Sequence, residues 1–63
     1  MSAETAIRAR EAADVLVGDF AGDLTPHEYE RCHAMRRQEP ERIYPAAAEA
    51  MIRLATRLIG PRA

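Results

Sequence analysis

Apolar residues recur along this chain in steps of three and four, in three blocks separated by breaks that carry proline or glycine. At about 100° per residue that spacing lines one face of a helix. In the first block Ala6, Ala9, Ala12, Ala13, Leu16, Val17 and Phe20 share a face, with Glu4, Arg8 and Glu11 opposite and Ile7 and Val15 off to the side. The pattern predicts a helix from residue 3 to about 21, with Ser2 as N-cap, Glu4 favoured by the dipole of the first turn, and Glu4–Arg8 in the favourable i,i+4 order. Gly18 is a weak point within it, and Gly22, two residues after the apolar Phe20, is the expected terminator. Because the face is mostly alanine, a neighbouring helix can come close.

The second block opens on the clearest local signal in the chain, Asp23-Leu24-Thr25-Pro26-His27-Glu28-Tyr29. Thr25 suits the N-cap and Pro26 the first helical position. Glu28, three residues after Thr25, is placed to close a capping box, and Leu24 and Tyr29 hold the two positions of a hydrophobic staple. The helix should run from Pro26 to about Gln38 and stop ahead of Pro40. Its apolar stripe, Tyr29, Cys32 and Met35, is narrow, so burial explains this helix least. The short connection before it predicts an antiparallel pair with the first helix.

After the linker Glu39–Pro45, in which Pro40 can start a short helical turn, the third helix should span 45 to 59. Ala47, Ala48, Met51, Ile52, Leu54, Ala55, Leu58 and Ile59 cover an arc of roughly 160°. Glu49, Arg53 and Arg57 form an i,i+4 ladder on the other side. Gly60 should end the helix, and Pro61, which has no amide hydrogen, favours the simpler left-handed cap over a Schellman motif. An arc this wide exceeds a two-helix seam and asks for two neighbours. The expected fold class is therefore all-α: a single domain over 1–63, a small three-helix bundle or a helical hairpin plus a third helix, completed by self-association.

Composition narrows the function classes. A chain of 63 residues builds only a small core, and the single cysteine, Cys32, cannot form an internal disulfide. A homodimer or another protein partner is the expected completion. Net charge is −1, with both signs spread along the chain, which argues against a broad footprint for nucleic acid or anionic membrane. All nine basic residues are arginine and alanine is abundant, a bias associated with GC-rich bacterial or phage genomes. No apolar run approaches the ~20 residues of a membrane span and the N-terminus has no leader pattern, so a cytoplasmic location is expected.

The chemical candidates are few. Adjacent helical residues point about 100° apart, so Cys32 and His33 are poorly placed to share a metal ion, and the four paired ligands of a structural zinc site are missing. Cys32 reads as a small apolar residue on the buried stripe. Glu30-x-x-His33 is sharper, since an i,i+3 Glu–His pair occurs in di-iron helical bundles, where Glu11 or Asp14 of the first helix would lie opposite. A solvated surface pair is the plainer reading. Arg36, Arg37 and Arg42 form the one local basic cluster, and the second helix, linker and third helix could imitate a helix-turn-helix. Yet the third helix begins Pro-Ala-Ala-Ala-Glu-Ala-Met, with almost nothing to read base edges. Calcium-loop spacing, glycine-rich phosphate loops, nucleophile elbows and paired catalytic carboxylates are all missing.

These readings point to a non-enzymatic helical protein-interaction module, a regulator or adaptor that needs no cofactor. Its expected partner-binding residues are Tyr29, His33, Arg36, Arg37, Arg42 and Tyr44, since tyrosine and arginine are enriched at interface hot spots. A DNA-binding regulator and a metal-binding hairpin using Glu30 and His33 are the alternatives.

Overall fold

The computed structural model describes residues 3–60, all-α, with three helices and no strand among them. Helix α1 spans Ala3–Asp19, α2 spans Pro26–Arg37 and α3 spans Pro45–Ile59. Short 3-10 turns at Ala21–Asp23 and Pro40–Arg42 connect them. The expected N-cap Ser2 and the argument from Pro61 fall outside the described residues.

Helix α1 is the shared element. Both α2 and α3 pack on it, and so does the Pro40–Arg42 turn, whereas α2 and α3 barely approach each other along their backbones. Sequence explains why. Ala6, Ala9, Ala13 and Leu16 are fully buried on one face of α1, and three of those four have nothing beyond Cβ to hold a neighbouring backbone away. Cys32 and Met35 of α2, Ala48, Met51 and Ala55 of α3, and Ile43 of the second connection complete the core. Ala12, Val17 and Phe20 pack around it partly buried, as the periodicity expects. Among the described residues Leu16 and Cys32 are the largest side chains that are fully buried.

Helix α1 stops two residues earlier than the spacing implies. Phe20 leaves the helical region at φ −123°, ψ 19°, while its amide still donates to the Leu16 carbonyl at 3.0 Å. The chain then tightens into a 3-10 turn, a common way for an α-helix to end. The Phe20 ring keeps its place against the core. Gly22 lies inside that turn without a positive φ, so it is not the terminating cap. Gly60 does end α3, with its amide on the Thr56 carbonyl at 2.9 Å. Its φ of 92° and ψ of 165° place it in the extended region reserved for glycine rather than in the left-handed helical region.

The capping box at α2 forms in full. The Glu28 amide donates to Thr25 Oγ1 at 3.1 Å, and the Thr25 amide donates to Glu28 Oε1 at 2.9 Å. Glu28 also accepts from Arg57 Nη2 through its other oxygen at 3.0 Å, tying the start of α2 to the end of α3. Arg57 is thus spent across helices, and the Glu49–Arg53–Arg57 ladder does not form. Among the described residues both ion pairs, this one and Arg36–Asp14, join α2 to a neighbour. Cys32 Sγ donates to Met51 Sδ at 3.6 Å and bridges α2 to α3 within the core.

Two consequences can be measured. Ala13→Leu should force α2 and α3 off α1 and lower stability by about 1–3 kcal/mol, the usual cost of overpacking. Gly18→Ala should act oppositely and raise stability by about 0.4–1 kcal/mol, because a Cβ there meets nothing within 4 Å and the position is helical. Denaturant titrations of both variants check the pair.

The cap supplies a second test, in pH. Its hydrogen bond from the Thr25 backbone, aided by Arg57, holds the Glu28 carboxyl below its ordinary 4.5. A carboxylate whose folded value is depressed adds stability that is complete above the unfolded value and fades as pH falls through the folded one. Wild-type stability should therefore decline below pH 4.5, and Glu28→Gln should flatten that decline. Thr25→Ala should cost about 1 kcal/mol at neutral pH.

Candidate functional site

Packing on one central helix leaves open grooves between the outer surfaces, since the Cα envelope measures only 16 Å in its thinnest direction against 29 and 28 Å in the others. A groove of about 580 Å³ runs between α1 and α2. Ile7, Arg10, Glu11 and Asp14 line it from α1, and His33, Arg36 and Arg37 from α2. These positions meet because the middle of α1 lies against the last turns of α2.

The groove is wired by arginine. Arg36 Nε donates to Asp14 Oδ1, while Arg10 Nη2 reaches the Arg36 carbonyl at 3.4 Å. That second contact serves one of the carbonyls left open at a helix C-terminus. Arg10 Nε lies buried under the groove with no hydrogen-bond partner among the described residues. An unsatisfied donor of this kind costs about 1–3 kcal/mol. Arg37 makes no ion pair among the described residues. Beside the groove the Tyr29 ring meets His33 edge to face, with centroids 4.5 Å apart and planes at 73°.

The six residues expected at a partner surface divide between faces. His33, Arg36 and Arg37 come together in the α1–α2 groove, and Tyr29 adjoins them at 40 % exposure. Tyr29 thus leaves the buried stripe of α2 to Cys32 and Met35. Tyr44, 79 % exposed, lines a separate shallow recess with Arg31, Met35 and Gln38, and Arg42 stands exposed on the second 3-10 turn. Arg10 and Ile7 were not legible as site residues. Arg10 could have been suspected from its place beside the apolar face, one helical turn before Asp14.

The metal-hairpin alternative required Glu30, His33 and an acid of the first helix together. His33 does share the groove with Glu11 and Asp14, but Glu30 is exposed and does not line it, and Asp14 is engaged by Arg36. No three His, Cys, Asp or Glu side chains gather into a metal-holding group among the described residues. Burial pushes the Cys32 thiol up from its ordinary value, with the Glu28 charge adding to the effect, so the reactive thiolate is disfavoured. No helix among the described residues is long and apolar enough to cross a membrane.

Compared with known proteins, the chain matches no family model, no curated protein and no solved structure.

Proposed function

We propose that this chain is a non-enzymatic protein-interaction module, a small regulator or adaptor, that engages its partner through the α1–α2 groove. One observation carries the reading: Arg10, Arg36, Arg37 and His33 converge on a groove of about 580 Å³ that the exposed Ile7 also lines, with the Tyr29 ring against His33 beside it. Arginine and tyrosine around a recess are the side chains that dominate binding energy when a partner excludes water from them. Arg10 adds a reason for a partner to bring acceptors, since its buried Nε lacks one and a shift of the side chain toward a partner carboxylate would satisfy it. The buried, proton-retaining thiol of Cys32 supports a non-catalytic role.

The test is capture of a partner from lysate by the immobilised chain, compared with the Arg36→Glu/Arg37→Glu variant. Capture should be lost while the helical circular dichroism is retained. Unchanged capture would place the partner elsewhere. Binding of generic duplex DNA that weakens steeply with salt would replace this reading with the DNA-binding one.

A further inference from the structure

The α2–α3 side of the molecule holds a second cleft, chemically unlike the first. Because these two helices are each held by α1 and barely touch along their backbones, a channel stays open between them. Cys32 and Met51 close its base. At one end it widens to a recess of about 250 Å³ with an apolar floor of Ala50, Met51 and Leu54 and with Arg31, Arg53 and Arg57 around it. Glu28 is the one acidic residue lining it, and it is already taken by Arg57 and the Thr25 amide. Arg31 and Arg53 make no ion pair among the described residues. Arg31 and Met51 also line the recess of about 120 Å³ that reaches the exposed Tyr44, so the two recesses adjoin on the α2–α3 side.

We infer that this cleft binds an acidic, leucine-bearing peptide segment of another protein. The occupant's apolar side chain rests on Ala50 and Leu54, its carboxylates meet Arg31 and Arg53, and its far end reaches the Tyr44 ring. Charge makes the choice. The chain as a whole carries −1, yet once Arg57 and Glu28 have neutralised each other this cleft still holds two unpaired arginines, Arg31 and Arg53, so the complementary partner is anionic. A second copy docked face to face would oppose these arginines with their own equivalents. A nucleic-acid backbone would use the guanidinium groups and leave the apolar floor empty.

The experiment is fluorescence anisotropy of a fluorescein-labelled peptide alternating aspartate and leucine, titrated with the full chain. Binding is expected, and it should weaken at least about tenfold in Arg31→Glu/Arg53→Glu, the loss of close charge pairs. Arg31→Gln/Arg53→Gln should weaken it as well without adding carboxylates beside Glu28, with the melting temperature confirming the fold of both variants. Exchanging leucine for serine in the peptide should also reduce binding. No binding by the wild-type chain overturns the inference, as does equal binding by both arginine variants. Loss that follows Arg36→Glu/Arg37→Glu instead would move the peptide to the α1–α2 groove. Displacement of the peptide by duplex DNA in an Arg31- and Arg53-dependent manner would make the cleft a phosphate track and reject the peptide.

Discussion

The closeness with which α1 admits two helices at once governs this structure. Its buried face is Ala6, Ala9, Ala13 and Leu16, so one large side chain anchors the contact and three methyl groups let backbones approach. Burying Leu16 contributes on the order of 1.5–3 kcal/mol, and each alanine far less. Dispersion across closely spaced backbones therefore carries much of the contact. Such an interface tolerates little change in volume. It also imposes the topology, because α2 and α3 compete for the same narrow face and end up side by side with a cleft between them.

That arrangement explains the odd status of α2. Two residues of its twelve-residue span, Cys32 and Met35, are buried, too few to fix a helix by burial alone. Local chemistry makes up the difference at both ends. The Thr25–Glu28 box satisfies amides at the start, and Arg10 reaches a carbonyl at the finish. Ion pairs to Asp14 on one side and to Arg57 on the other hold the helix between its neighbours. With so little of its surface spent on the core, α2 contributes to both grooves, and its arginines and tyrosine stay available.

Much of this was legible in the residues. The capping box, the start of α2 at Pro26 and the span of α3 follow from short-range rules, because a threonine, a proline and a glutamate at fixed offsets satisfy backbone groups whatever the tertiary fold. The alanine face of α1 followed from periodicity. Ile43 did not: a lone isoleucine in a charged linker shows no period, yet it is only 4 % exposed because the Pro40–Arg42 turn folds against α1. Nor did the destiny of Arg57, whose i,i+4 partners on its own helix lose to Glu28 on another. Pairing across helices depends on where α1 places them, and spacing along one helix carries no trace of it. The groove followed the same pattern, with His33, Arg36 and Arg37 readable from α2, whereas the contact of Arg10 with the Arg36 carbonyl depends on how the helices meet.

Native-state hydrogen exchange tests the central role of α1 most directly. If both outer helices depend on the alanine face, α1 cannot open without releasing them, and the amides of Ala9–Leu16 should exchange only through global unfolding, slower than or equal to any in α2 or α3. Amides of α1 that exchange while α2 and α3 stay protected would contradict the account, because the outer helices would then be holding each other.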